Sequence, residues 1–270
     1  MSERGDPKQT DNLFCGQTVA RSADHRWGRR GLTKFSLSLF LCCGLYWFCG
    51  SGSVLAQQNL FNVPSGEITH EGNTFFQQQF NFSTVGQSNT TFEYGLGHGW
   101  EIGFNAFDIN IYNSPTSPPI GRHQVNPDML FNVQKGVEIS DWWKIEFGSL
   151  SGFNLSSQPE DIRFQTFNFT SSCFTLPDEV AKFYLGAYQT NVAYAGPGNC
   201  VGFLIGTEIP VVKDKFHFMA DYISGTNDIS VGVIGGVWYL PSKWQVSLGA
   251  QVPAPHSHNA YGVVLELTRP

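Results

Sequence analysis

From about residue 72 to the end, apolar and polar residues alternate with a period of two, and the alternation restarts after every cluster of Gly, Pro, Asn, Asp or Ser. Only an extended strand puts successive side chains on opposite faces, so this rhythm selects an all-β fold. Trp244, Val246, Leu248, Ala250 and Val252 share one face, and Gln245, Ser247, Gly249 and Gln251 the other. Tyr261, Val263, Leu265 and Leu267 repeat the pattern, as do Phe216, Phe218, Ala220 and Tyr222, then Val201, Phe203, Ile205 and Ile209, and Trp143, Ile145 and Phe147. One run slips phase: Trp100, Ile102, Phe104 and Ala106 hand over to Phe107, Ile109 and Ile111, which predicts a β-bulge near Ala106.

The runs predict about twelve strands, near 72–83, 89–97, 99–112, 124–136, 142–153, 161–172, 179–192, 199–211, 214–225, 228–240, 243–253 and 260–268. Most reach the roughly 9–11 residues that a tilted strand needs to cross a bilayer. The connections sort by parity. Short ones lie at 97–99, 140–141, 176–178, 212–214 and 240–243. The other set holds the longer ones, 113–123, 153–160 and 253–259, with Gly196–Asn199 and Gly225–Asp228. Short turns at one end and longer loops at the other mark an antiparallel up-and-down transmembrane β-barrel.

Alternation does not say which face is the core: apolar residues point out to lipid in a membrane barrel and inward in a soluble one. The polar face decides in favour of the membrane. It is rich in Gly, Ser and Gln, and its charges are scattered: Glu93, Glu101, Asp108, Lys144, Glu146, Arg163, Lys182, Glu208, Asp221 and Glu266, all expected to face the lumen. Charged residues are only 14% of the chain, against roughly 25% in an ordinary soluble domain. Trp100, Trp142, Trp143, Trp238, Tyr239 and Trp244 cluster beside the short turns, as an interfacial aromatic girdle does. An exported soluble β-barrel holding a ligand in its interior is the competing fold.

Residues 1–56 read as a polar extension followed by a signal peptide. Arg29, Arg30 and Lys34 precede an apolar run of about fifteen residues, too short for the roughly 20 of a spanning helix. Val54 and Ala56 are the small residues of a cleavage site after Ala56. Residues 57–71 are then a periplasmic amino-terminal segment and 72–270 the barrel. Four of the six cysteines fall in the removed part, leaving Cys173 and Cys200, which an oxidising compartment permits but does not oblige to pair. After Ala56, eighteen acidic residues face nine basic ones, which excludes nucleic acid as a partner and favours cations over anions in any pore.

Catalytic patterns are absent: no phosphate-cradling glycine loop, CxxC or HExxH occurs. No strand joins a Ser and a His as a lipid-facing hydrolase requires. His256 and His258 share a loop, a pair more often solvated than metal-binding. The expectation is therefore a non-enzyme with no cofactor and no metal.

Three stretches carry a resemblance: FNVPSGEI from Phe61, EGNTFF from Glu71, and FEYGLGHGWEIGF from Phe92 to Phe104. They resemble the opening of bacterial outer-membrane barrels of the phenol-degradation-pathway (MetA-type) group. The likeness covers the first third of the chain well; the later hairpins share only the general barrel style. It implies a channel or uptake role for small molecules, hydrophobic ones among them, with no catalytic residues to carry over. Many such barrels end on an aromatic residue that the barrel-assembly machinery reads, whereas this chain ends Leu267-Thr-Arg-Pro270. The expected function is a passive outer-membrane channel or small-solute transporter. A structural or surface-exposed barrel without a through-pore is the alternative.

Overall fold

The alternating runs form twelve antiparallel strands in the computed structural model, which describes residues 58–113, 127–156 and 159–270. They are β1 (Thr74–Phe82), β2 (Val85–Gly97), β3 (Trp100–Asn113), β4 (Asp128–Ser140), β5 (Trp143–Asn154), β6 (Phe164–Thr175), β7 (Lys182–Thr190), β8 (Val201–Val212), β9 (Phe216–Ile223), β10 (Val231–Tyr239), β11 (Gln245–Pro253) and β12 (Gly262–Arg269). Each pairs with its sequence neighbours, and β1 closes on β12 through seven residue pairs from Phe76↔Arg269 to Phe82↔Val263. Closure leaves no strand edge unpaired, the condition for a sheet in hydrocarbon. The proposed signal peptide and its cleavage site lie outside the described residues.

The expected bounds hold to within three residues except at β2, which begins four residues earlier, and at β4, which runs four residues later than the sequence indicates. Pro127 cannot donate a ladder bond and so precedes the strand. Gly136, which looks like a stop, stays in the ladder opposite Glu146. The bulge falls just beyond its expected place. Ala106 pairs with Thr90 and Ile109 with Ser88, so Phe107 and Asp108 together oppose Asn89. Asp108 takes the left-handed conformation (φ 57°), and its N–H donates to Asn89 Oδ1 at 2.9 Å. The extra residue returns Ile109 and Ile111 to the outer face, where both are exposed.

The wall is apolar outside. Phe131, Phe147, Leu185, Phe203, Ile234 and Leu248 are each 45–69% exposed. Their inward neighbours Asn132, Glu146, Tyr184, Leu204, Val233 and Ser247 are buried. One sector reverses the chemistry. On β5 and β6 the outward side chains include Ser149, Ser151, Thr166 and Asn168, and the inward ones Leu150, Phe167 and Phe169. The outward set pairs internally: Ser149 Oγ donates to Asn168 Oδ1 at 2.7 Å, Ser151 and Thr166 hydroxyls meet at 3.0 Å, and Asn168 Nδ2 donates to Thr166 Oγ1 at 3.3 Å. Mutual hydrogen bonding lowers the cost of a polar seam on a lipid-facing surface.

Five of the six aromatics read as a girdle face outward beside the short turns. Lys135 Nζ sits 5.3 Å from the centroid of the Trp100 ring and Arg269 lies 5.9 Å from that of Trp244. Trp142 and Trp143 stack with Phe174, and Trp238 packs on Phe216 at 4.9 Å. Tyr239 is different: adjacent strand residues cannot share a face, and with Trp238 outward Tyr239 points into the lumen. Its hydroxyl donates to Glu208 Oε1 at 3.0 Å.

Candidate functional site

The lumen is occupied by the chain itself. Residues 58–70, which the sequence places outside the wall as a periplasmic segment, form a strap inside it. Leu60, Phe61 and Val63 are at most 2% exposed. The strap folds on itself: Asn59 bridges Pro64, Leu60 N–H donates to the Val63 carbonyl at 2.9 Å, Ser65 N–H donates to the Gln58 carbonyl at 2.8 Å, and the Gln58 amide donates to Thr69 Oγ1. Burial of three large apolar side chains drives it inward, since each is worth about 1.5–3 kcal/mol out of water.

Acidic wall residues receive its backbone. Asp221 Oδ2 accepts from the N–H groups of Phe61 (3.0 Å), Asn62 (2.5 Å) and Val63 (3.0 Å). Glu146 Oε2 accepts from Gly66 N–H at 2.9 Å. Glu101 Oε2 accepts from Thr69 N–H at 2.7 Å and from the Gln58 amide at 2.9 Å. Ser171 Oγ donates to the Pro64 carbonyl at 3.0 Å. Lys144 and Lys182 both reach Glu67 of the strap, at 3.3 and 3.6 Å, and Lys144 also meets Glu138 at 3.2 Å. The lumen charges are thus chiefly partners of the strap, rather than a lattice of wall-to-wall ion pairs.

The remaining sequence candidates divide. Glu208 is buried in its own cluster, with His217 Nδ1 at 2.6 Å and the Tyr184 hydroxyl at 3.1 Å. Glu93 accepts from Asn132 and Gln134, and Asp108 from Gln87. Glu266 is fully buried on the inner face of β12. Arg163 is not in the bore. It lies exposed just before β6, where its backbone N–H donates to Asn154 Oδ1 at 2.6 Å and its guanidinium to the Ile162 carbonyl at 3.0 Å. Strand parity pointed it inward, but the strand starts one residue later, at Phe164. Cys173, buried on the inner face of β6, and Cys200, at the loop end ahead of β8, are both free. In the 253–259 loop, His258 Nδ1 lies 3.5 Å from Asp228 Oδ1.

The inner glycines make room for the strap. A β-carbon at Gly206 would collide with Leu60 Cδ1, and one at Gly249 would sit 2.8 Å from the Phe61 ring. The strap itself was missed by sequence reading because its eight residues from Phe61 carry no periodicity. The signal that points to it is indirect: an inner face with glycines and more carboxylates than lysines implies something else to bind.

The strap lies between two cavities. At the turn end, Gly66–Glu71, Lys135 and Lys144 line a space of about 570 Å³. At the loop end, a space of about 250 Å³ is floored by Asn59, Phe61, Asn62 and Pro64. Its walls differ. Strands β1–β4 contribute amides such as Gln77, Gln79, Asn105 and Asn132. Strand β6, nearly across the barrel from β1, contributes Phe167 and Phe169. A single helical turn, α1 (Val192–Ala195), adds Tyr194, whose ring packs on Phe167 at 5.5 Å. Asn191 caps that turn, its Oδ1 accepting from Tyr194 N–H at 3.0 Å.

The sequence matches no protein-family profile, and no curated protein sequence matches it. The structure does have solved neighbours. A KdgM porin superposes with a TM-score of 0.52 at 8% identity, covering 73% of this chain and 98% of that one. A NanC porin superposes with a TM-score of 0.50 at 10% identity and the same coverage. A KdgM porin in complex with disordered oligogalacturonate gives 0.50 at 7% identity, again with that coverage. These neighbours are porins rather than enzymes. The chain has the fold of the outer-membrane porins, and its exposed apolar belt is that of a barrel set in a membrane.

Proposed function

We propose that this protein is a passive outer-membrane channel for small solutes, held shut at rest by its own residues 58–70. One observation carries the reading. The strap lies between the loop-end cavity and the space at the turn-end rim, yet it belongs to no strand of the wall and is tied in by hydrogen bonds, ion pairs and apolar packing. Displacing it leaves the barrel's ladders intact and joins the cavities. Flow through the opened bore needs only a gradient. The KdgM neighbour studied with oligogalacturonate supports a solute path through a barrel of this fold. The MetA-type resemblance of the opening residues agrees with uptake of small molecules, and the barrel-assembly machinery is the partner expected to insert it.

The buried strap also favours a second reading, a structural barrel with no through-pore. Swelling of proteoliposomes in isotonic solutions of small sugars separates the two. The channel reading expects slow swelling with the intact protein and fast swelling after deletion of residues 58–66. Absence of swelling from both proteins establishes the second reading.

A further inference from the structure

The loop-end cavity has a chemistry of its own. Among the described residues that line it there is no Lys, Arg or His. An anion entering would be stripped of water with no counter-charge, which opposes its entry. For a cation, each of the three carboxylates in the lining already has a partner on one oxygen. Glu93 Oε1 accepts from Asn132 Nδ2 at 2.5 Å and from Gln134 Nε2 at 3.0 Å. Asp108 Oδ1 accepts from Gln87 Nε2 at 3.0 Å. Asp228 Oδ1 faces His258.

What remains open is amide, together with one carboxylate oxygen, Glu93 Oε2. Asn105 accepts at Oδ1 from Thr91 at 2.8 Å, and its Nδ2 has no partner. Gln77 accepts at Oε1 from Asn59 at 3.5 Å, and its Nε2 has none. Asn132 donates to Glu93, and its Oδ1 has none. These three side chains are at most 4% exposed. A buried polar atom without a partner is unfavourable, and a ligand that pairs with it recovers that loss. Two free donors and two free acceptors, Asn132 Oδ1 and Glu93 Oε2, suit hydroxyl groups, which both accept and donate. Across the bore, Phe167, Phe169 and Tyr194 offer aromatic surface. A purely apolar ligand would leave the amides unpaired, and a fully polar one would waste the rings.

We propose that this cavity binds a neutral polyhydroxylated ligand, a free uncharged sugar whose hydroxyl edge meets Gln77, Asn105 and Asn132 and whose C–H face lies on Phe167 and Phe169. The proposal rests on the reading of the bore as a solute path. The volume of about 250 Å³ lies just under the roughly 300–1,000 Å³ of small-molecule sites, which sets the ligand at one or two rings. The site's preference departs in charge from the oligogalacturonate, an acidic sugar chain, with which the KdgM neighbour was solved.

The test uses the full mature barrel in a detergent without a sugar headgroup, titrated with maltose, cellobiose, digalacturonate and putrescine and followed by calorimetry and ligand-observed NMR. Saturable binding of maltose or cellobiose is expected, with at least tenfold weaker binding of digalacturonate and putrescine. Asn105→Leu, with Gln77→Leu as the second variant should the first misfold, is expected to weaken sugar binding at least tenfold while heat-modifiable gel migration is kept. Equal or tighter binding of either charged probe, no saturable binding of either neutral sugar, or full affinity in both folded variants overturns the proposal. Binding in micelles does not depend on conduction. Conductance without sugar binding therefore removes this site alone, and sugar binding without conductance removes the channel reading alone.

Discussion

Asp221 holds the backbone of Asn62 at 2.5 Å, and the same oxygen takes the N–H groups of Phe61 and Val63 on either side. Three donors converging on one carboxylate oxygen fix the strap tip in place. The contact is to main chain, so it is indifferent to the side chains of the tip but depends fully on the carboxylate. Hydrogen bonds to a charged group contribute about 1.5–3 kcal/mol each. Asp221→Ala is expected to free the tip and raise the conductance of the barrel several-fold, read in planar bilayers. Conductance unchanged from the native protein would show that Asp221 does not hold the bore shut.

Gly206 tests the same closure by shape instead of charge. Leu60 occupies the space that a side chain there would fill, and Gly206 sits in the ladder opposite Tyr184 and Asp221. Leucine is well tolerated in a strand, so Gly206→Leu is expected to keep the barrel and expel Leu60. Limited proteolysis should then cut within residues 58–70, which the native protein protects. Equal protection in both proteins would mean that the notch is not the strap's seat.

The two free cysteines report the strap's position chemically. Cys173 is 1% exposed, on the inner face of β6, with its β-carbon beside Gly66, whereas Cys200 is partly accessible at the loop end. A maleimide of moderate size is expected to label Cys200 and spare Cys173 in the native barrel, and to label both once residues 58–66 are removed. Labelling is counted by mass spectrometry, and rapid modification of Cys173 in the intact protein would contradict the packing.

The orientation of the wall has its own test. Ile234, near the middle of β10, is 55% exposed, and Val211, near the turn end of β8, is 59% exposed. In a membrane barrel, Arg on the lipid face costs about 2–4 kcal/mol at mid-height and about 0–1 near the interface. Ile234→Arg is thus expected to destabilise the protein in lipid vesicles by that larger amount and Val211→Arg by little, measured by denaturant unfolding. A soluble barrel would tolerate both.

Much of this was legible in the sequence because strand alternation is a local property. The twelve runs, the parity of the connections and the outward Trp100, Trp238 and Trp244 all follow from period two and turn chemistry. Other features depend on what meets across the bore, which no single run records. The run around Phe167 and Asn168 alternates as cleanly as any other, yet its faces are reversed because Phe167 packs with Tyr188 and Tyr194 inside the barrel. Tyr239 was grouped with Trp238 by proximity along the chain, although neighbouring strand residues face opposite ways. Glu101, Glu146 and Asp221 were recognisable as inward acids, but their role as acceptors for residues 58–70 involves separations of 32 to 160 positions.

Single-channel recording of the native barrel beside a version lacking residues 58–66 is the most direct measurement. The strap account expects small, infrequent openings from the native protein and a stable conductance at least several-fold larger from the shortened one, both folded by heat-modifiable migration. Matching conductances, or silence from the shortened barrel at every voltage, would contradict a channel stoppered by its own amino-terminal segment.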